Sequence, residues 1–592
     1  MSTMDKERVE HDSNPSVIDE TPSALTAGFT ADLDHLPKGY FRSPFFVGTL
    51  FAIGTGLAAS TGGYGLAAPN LTLINNEIGP DPNINWVSFV YTLTLSVGLL
   101  IFGRLTDVFG RRYYLIGGTI LSLVGCIVAA TAQNVPALIV GMALIGLGGS
   151  AQQSFSFVSN ELVPMKYRFL VNSWIYLWTL PTSAFGAAIS KAFVLYTSPG
   201  WRWCYYYLVI FNVISLVLYV VFYFPPTFAE KHNNRTKMEA VRMFDYVGTF
   251  LFIAGLVLFQ LGLLWGGQVY AWKSVPVIVT IVLGAIVLVA FGLWEAYAPL
   301  KEPVVPIRLF KNIHWVSACV LLGLGASIYY AMAIIWPNMV SILYTDDGGA
   351  SMKAGWLNSM PVTLMVVGQI LGGGLAAVIG KQKLQCMFVL VSGGSLLAGK
   401  SYHLWVTMAY STPSTLHGTA ALLNLSCFLI GWNESVCLTN AGIELEDQRE
   451  IGTAVGMAGS IRSTISTVAS SVYVVVLNNR MAQAIPAEVP PVLIKAGLPP
   501  SSVAAFLDGL STGSLSGIKG LTPHIQEVGT HAYKVASSHA FKTVYLTSIA
   551  FTGVAIILSF WAPTVDDKLN GQIAATLHRA DAGPSEDGTK MA

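Results

Sequence analysis

Long apolar runs recur along the whole chain, each close to the roughly 20 residues a helix needs to cross the hydrocarbon core of a bilayer. They fall near 44–68, 84–103, 113–133, 136–158, 172–195 and 204–225, then 246–266 and 275–297, then 313–336, 355–379, 384–400, 416–437, 451–477 and 541–562. In lipid every backbone N–H and C=O must be paired within the protein, so runs this long and this numerous have to be helices. The pattern predicts an all-α polytopic membrane protein with fourteen spans. Composition removes the alternative of a water-facing globule: 53% of the 592 residues are hydrophobic and 11% charged, against about 25% charged in a soluble protein. With a net charge of +1 and no large basic block, nucleic acid is not an expected partner; the lipid bilayer is.

The polar breaks sort the runs into six, two and six. A charged stretch from Glu230 to Asp245 follows the sixth run, and a basic one from Lys301 to Lys311 follows the eighth. The expected organisation is a disordered cytoplasmic N-terminal tail over 1–43, a first six-helix bundle over 44–226, and a cytoplasmic linker with two inserted spans over 227–311. A second six-helix bundle over 312–562 includes a long outer segment, 478–540, and a cytoplasmic tail occupies 563–592. Lys and Arg concentrate in the loops that would face inward, so the positive-inside bias places both termini in the cytoplasm. No apolar h-region precedes the first run, so the start reads as a tail and not as a signal peptide. The outer segment, rich in Pro, Ala, Gly and Ser, reads as a loop with short amphipathic pieces such as Val503–Leu510. Trp201, Trp203, Tyr205 to Tyr207, Tyr329 and Tyr330 read as interfacial anchors. The six cysteines are scattered through apolar runs and read as buried small hydrophobes, with no disulfide and no metal site. Asn70 heads the sequon Asn70-Leu71-Thr72, but abuts the end of the first span, which argues against glycosylation.

Chemistry is expected at three places. The turn between the second and third runs reads GRLTDVFGRR, Gly103 to Arg112. Gly103 and Gly110 allow close backbone approach and a sharp turn, Asp107 can face a helix N-terminus or a guanidinium, and Arg111 and Arg112 hold the loop inside. A fainter copy, Gly372 to Lys383, repeats Gly103, Gly110 and Arg111 as Gly373, Gly380 and Lys381, with Ala377 in place of the acid. Ionisable residues within spans are costly and so are functional candidates: Glu434, a candidate carrier of a coupling ion, and Arg462, its counter-charge or a contact for an anionic substrate group. Gln152, Gln153, Asn172, Trp174, Gln369 and Asn433 are candidates for a substrate cavity. No nucleophile–base pair, HExxH run or phosphate-cradling loop is present, so neither an enzyme nor a cofactor is expected.

The Gly103–Arg112 loop resembles the loop between spans two and three of the major facilitator superfamily, with Gly103, Asp107, Gly110, Arg111 and Arg112 at its defining positions. The resemblance implies the major facilitator fold, here two six-helix bundles plus two inserted helices, with this loop as a conformational switch. Within the superfamily the chain is most similar to the trichothecene efflux pump family and to its neighbours, the fungal siderophore-iron transporters. Gly200 to Cys204 (GWRWC), Phe244 to Gly248 (FDYVG), Ala540 to Phe551 (AFKTVYLTSIAF) and Gly571 to His578 (GQIAATLH) carry that likeness. It implies a monomeric, proton-coupled exporter of a small amphipathic secondary metabolite, mycotoxin or drug at the plasma membrane. The alternatives are a ferric siderophore importer of the same fold and a non-transporting nutrient sensor. Two positions depart from relatives: Met142 stands where proton-coupled members carry Arg, and of the antiporter glycine-proline run only Pro181 is in place, with Gly186 nearby.

Overall fold

The computed structural model describes residues 29–226 and 236–577, apart from 268, 399–411, 513–514 and 516. Helices follow the apolar runs in order: α1 Pro44–Gly65, α2 Trp86–Phe109, α3 Arg112–Ala130, α4 Val135–Gln153, α5 Arg168–Tyr176, α6 Gly186–Tyr196 and α7 Arg202–Phe222. They continue as α8 Tyr246–Trp265, α9 Val275–Tyr297, α10 Ile313–Met339, α11 Met352–Ile379, α12 Gln382–Ala398, α13 Leu416–Ile443, α14 Ile451–Lys495, α15 Pro500–Thr512 and α16 Pro523–Ser559. Several starts are set by side chains that accept the orphan amides of the first turn. Ser43 takes Phe46 N at 3.2 Å with Pro44 behind it, Asn134 takes Ala137 N at 2.9 Å, and Asp245 takes Gly248 N at 2.8 Å.

Among the described residues, twelve helices are long and apolar enough to cross a membrane, against the expected fourteen. The other two expected spans are the fifth and the eleventh. The fifth is in pieces: α5 passes through a 3-10 turn, Leu177–Thr179, and a π turn, Leu180–Ala184, before α6 begins. Pro181 lies in the π turn, where its missing N–H interrupts the ladder. The eleventh is α12, 17 residues long, and the residues that would extend it lie outside those described.

α1 to α7 pack into one bundle, and α10 to α14 with α16 into another. The bundles meet along two seams, α2 against α14 and α11 against α5 and α6, while the α8–α9 pair lies against α2 and α14. Gln260 of α8 fastens that pair across the first seam, accepting from Ser96 Oγ at 2.9 Å and donating to Thr464 Oγ1 at 3.1 Å.

Three expectations are corrected. The outer segment is largely helical: α14 runs 45 residues through Pro486, Pro490 and Pro491, and α16 starts at Pro523. Apolar residues at helical spacing outweigh the prolines, since Val489, Leu493, Phe506 and Ile525 form a buried core of their own. Residues 29–43, read as part of a disordered tail, carry structure: β1, Ala31–Asp32, pairs antiparallel with β2, Gln572–Ile573. This pairing puts both ends of the described chain on one face, called here the terminal face. Tyr329 and Tyr330, read as interfacial anchors, stand in the middle of α10 and face the interior. Residues 1–28, Glu230–Arg235 and 578–592 lie outside the described residues.

Candidate functional site

On the terminal face the Gly103–Arg112 loop locks α2 to α14. A side chain at Gly103 would put Cβ 2.3 Å from Gly452 O, so only glycine lets the two backbones approach this closely. One turn further on, Asp107 reaches the start of α14, whose N-cap residue Glu450 provides no side-chain cap. Its carboxylate accepts from Thr453 N at 2.6 Å, Thr453 Oγ1 at 2.8 Å and Gly452 N at 3.2 Å. Asp107 thus caps the helix from the other bundle, a negative charge on the positive end of a dipole. Arg111 donates to the same carboxylate at 3.1 Å, pairs with Glu161 at 2.5 Å, and lies 4.4 Å from the Phe157 ring centroid. Gly110 ends α2 at φ 93°, and Arg112 then donates to Val220 O at 2.9 Å and to Tyr223 O, with Phe224 stacked beneath it. Both roles read for Asp107 in the sequence, facing a helix N-terminus and a guanidinium, are realised together.

The second seam is closed without an acid of this kind. Gly373 of α11 packs against Ser173 and Phe169 O of α5. Asn172 donates to Thr439 Oγ1 at 2.9 Å, while Arg168 donates to Gln448 Oε1 at 2.9 Å and Gly442 O at 3.2 Å.

Above these seams lies a cavity of about 100 Å³ between the bundles. Among the described residues, the charged side chains lining it are Glu434 and Arg462. Arg462 Nε donates to Glu434 Oε1 at 2.6 Å with a second guanidinium contact beside it, and Gln369 Nε2 donates to Glu434 Oε2 at 3.0 Å. Both carboxylate oxygens are therefore engaged, which is what a carboxylate that is 2% exposed requires. The rest of the wall combines aromatic rings and hydroxyls, among them Tyr64, Tyr91, Tyr176, Tyr329 and Tyr330, with aliphatic side chains such as Leu57, Leu99, Met365 and Val455. Tyr91 OH donates to Ser60 O at 2.7 Å and receives Gln153 Nε2 at 3.4 Å. On the face opposite the termini a vestibule of about 960 Å³ opens, lined by Asn85, Asn338, Asn358, Ser466 and Ser470 among others. Tyr64 and Tyr330, ring centroids 5.7 Å apart, border both spaces.

Of the residues singled out in the sequence, the structure brings Gln153, Gln369, Glu434 and Arg462 to the cavity. Four expected there do not line it. Gln152 is buried between α4 and α7, donating to Asn212 Oδ1 at 2.8 Å; Asn172 belongs to the seam. Trp174 packs on Phe51 and Trp178, and Asn433 donates to Leu321 O at 3.2 Å. A one-residue step turns a side chain through about 100° on a helix, which separates Gln152 from Gln153. The tyrosines escaped notice because tyrosine near a span end and tyrosine in a cavity have the same composition; the mid-run position of Tyr329 and Tyr330 was the available signal. Asn70 is buried and donates to Ser190 Oγ and Leu66 O. Met142 is buried beneath Tyr205, whose hydroxyl meets its sulfur at 3.7 Å.

A family model described as the fungal trichothecene efflux pump matches residues 2–583. The trichothecene efflux pump of Trichoderma arundinaceum is 26% identical, covering 95% of this chain and 93% of that protein, and the one from Fusarium sporotrichioides is 27% identical over 92% and 90%. An MFS-type transporter of Penicillium rubens, prx5, is 30% identical over 76% of this chain and 81% of its own. Among solved structures, a proton:xylose symporter of the major facilitator superfamily superposes with a TM-score of 0.52 at 13% identity, covering 90% of this chain and 99% of that one.

Proposed function

Because the chain belongs to the fungal trichothecene efflux pump family, and so to the major facilitator transporters and not to an enzyme family, we propose that it is a proton-coupled exporter. Its cargo is a small amphipathic secondary metabolite, mycotoxin or drug, released across the plasma membrane by a monomer with both termini in the cytoplasm. In this reading the bundles are 44–226 and 312–562, and the eighty-odd residues between them carry the two inserted spans. The terminal face is cytoplasmic, and the state described is outward-facing.

One observation carries the reading most: a buried, ion-paired carboxylate, Glu434, sits in an aromatic cavity that is sealed toward the terminal face and lies under a vestibule on the other. A coupled carrier needs a titratable group beside its cargo that is presented to each side in turn. In this reading Glu434, held by Arg462 and Gln369, is the coupling group. Gln153, Gln369 and the tyrosines contact the cargo, and the Asp107 cap is the switch that holds the terminal face shut. Rings and hydroxyls around one neutralised ion pair suit an oxygen-bearing, uncharged ligand better than a strongly ionic one.

The test is flux in inside-out plasma-membrane vesicles, with a radiolabelled trichothecene as first probe and a panel of neutral amphipathic drugs beside it. ATP-independent accumulation driven by an imposed proton gradient, acid inside the vesicle, supports the proposal. Uptake of ferric siderophore by intact cells, without drug extrusion, overturns the direction. Flux that ignores the gradient overturns the coupling.

A further inference from the structure

Beyond α16 the chain crosses the terminal face from the second bundle to the first. It begins on the second: Val565 N donates to Gln382 Oε1 at 3.3 Å, and Asp566 accepts from Lys381 N at 2.8 Å and Gln382 Nε2 at 2.7 Å. Lys568 then pairs with Glu444 at 2.9 Å. These partners lie at the α11–α12 turn and the end of α13. Two residues later the partners change bundle. Asn570 O accepts from Lys166 N at 3.2 Å and Ala575 N donates to Glu161 O at 2.9 Å, both on the connection from α4 to α5. β1 clamps this half from outside, with Thr30 N on Ile573 O at 2.9 Å and Leu33 N on Gly571 O at 3.0 Å. Leu577 N reaches Tyr40 OH at 3.4 Å.

The strap therefore has one foot on each bundle, over the place where both seams are closed. Between its last anchor on the second bundle, Lys568, and its first on the first, Asn570, lie two peptide steps, which can span at most about 7 Å when fully extended. Beyond the reach of the Lys568 side chain, which makes the ion pair, the main chain has little slack to accommodate separation of the bundles. The feet also differ. The second-bundle foot is covalently continuous with α16 and holds an ion pair and a bidentate carboxylate; the first-bundle foot is made chiefly of backbone hydrogen bonds and a strand pair two residues long.

We propose that Asp566–Leu577 is a releasable latch: its first-bundle foot holds the terminal face closed in the state described, and must detach each time that face opens. The inference rests on the alternating-access reading above and adds to it a regulated step outside the membrane. Loosening the latch favours the state in which the terminal face is open; fixing it stops the cycle.

Two full-length variants test this, and the six native cysteines, all buried, leave introduced ones as the reactive sites. In the first, Lys166→Cys with Asn570→Cys is joined by a short bismaleimide. Flux of the trichothecene probe is expected to fall at least about tenfold on cross-linking, and to stay unchanged when each single-cysteine variant meets the reagent. A cross-linked carrier that transports at the uncross-linked rate overturns the latch, as does failure of the pair to link. In the second, Ala575→Pro removes the N–H given to Glu161 O, and Asn338→Cys, at an exposed position of the vestibule, reports the open side of intact cells by its reaction with an impermeant maleimide. Labelling of Asn338→Cys is expected to fall about fivefold beside Ala575→Pro; unchanged labelling overturns the proposal without reference to any cargo. A direct disulfide between Asn172→Cys and Thr439→Cys, whose side chains meet across the seam and are uncovered to oxidant only when that seam opens, separates the two readings. If it arrests flux while the strap link does not, the latch fails and the carrier reading stands; if flux survives both, the carrier reading itself fails.

Discussion

The two seams of the terminal face are built on one plan and fastened differently. In each, a glycine of the crossing helix packs against the second residue of a helix from the other bundle: Gly103 on Gly452 of α14, Gly373 on Phe169 of α5. Four residues on, the first seam has Asp107 and the second has Ala377. Asp107 supplies a charge to an uncapped helix end and ties in Arg111 and Glu161. At the second seam the N-cap residue of α5, Tyr167, likewise gives no side-chain cap, yet no acid stands opposite, and neutral or singly charged contacts from Asn172 and Arg168 close the gap instead. The difference teaches that the repeat conserves backbone approach while assigning the charged fastening to one side. One seam is fastened by a few charge-assisted bonds. The other is a packed joint, with the broken helix from α5 to α6 beside it.

Predictions follow from trying to break this division. The largest effect should come from a change that touches neither seam. Glu434→Gln leaves both fastenings in place but takes the titratable group and the partner of Arg462 from the cavity. Removing one member of a buried ion pair costs about 3–5 kcal/mol; with the seams intact, the protein is expected to reach the membrane and bind the probe while gradient-driven flux is abolished. Uphill flux with unaltered dependence on external pH would make Glu434 structural. Next in size is Asp107→Asn, which keeps the shape and halves the acceptor chemistry. We expect a correctly localised protein whose flux is at least about tenfold lower, since a differential of one to two kcal/mol moves a two-state balance by that factor. Wild-type flux at equal surface abundance would show that the first seam is not the switch.

Much of this arrangement was legible in the sequence, and the limits are physical. Apolar run length located the helices because lipid permits few alternatives, and the Gly103–Arg112 spacing pointed to a close, charged helix contact because Gly, Asp and Arg each answer a distinct steric or electrostatic need. Glu434 and Arg462 stood out because charge inside a span is expensive. Rotational phase was harder: Gln153 reaches the cavity and Gln152 does not, and tyrosines give no polar signal strong enough to mark a wall. Contacts between distant segments were beyond reach. Nothing in residues 29–33 announces a strand partner at 571–573, and proline count alone misjudged α14, where tertiary packing of Val489 and Leu493 overrides local preference.

A smaller effect separates the seams by steric tolerance. At Gly103 an added methyl meets the Gly452 backbone oxygen at 2.3 Å, which can move only with the helix, whereas at Gly373 the nearest atom is Ser435 Oγ at 2.6 Å, a hydroxyl that can turn, with Ser173 Cβ at 3.1 Å and Phe169 O at 3.3 Å. Gly103→Ala is therefore expected to lower flux severalfold and Gly373→Ala to leave it within about twofold. Vesicle transport of the two variants side by side checks this, and equal losses would mean that both seams are equally rigid.

The smallest expected change is the most informative, because it adds a fastening where none exists. Ala377 lies one turn beyond Gly373 on the same face of α11, in the register that Asp107 holds beyond Gly103. Gly373 already touches the second residue of α5, so Ala377→Asp would bring a carboxylate to the first-turn amides of α5 and to the neighbourhood of Arg168. A charge at a helix N-terminus contributes about 0.3–1 kcal/mol, enough to slow opening of the terminal face by about two- to fivefold without disturbing the cavity. In vesicles, Ala377→Asp should transport more slowly, and in intact cells Asn338→Cys in the vestibule should label more fully beside it. Combined with Asp107→Asn, the same substitution should restore part of the lost vestibule labelling, since closure depends on the sum of both seams. If Ala377→Asp instead reduces labelling, the second seam has no room for a cap, and the missing acid reflects packing and not a division of labour between the halves.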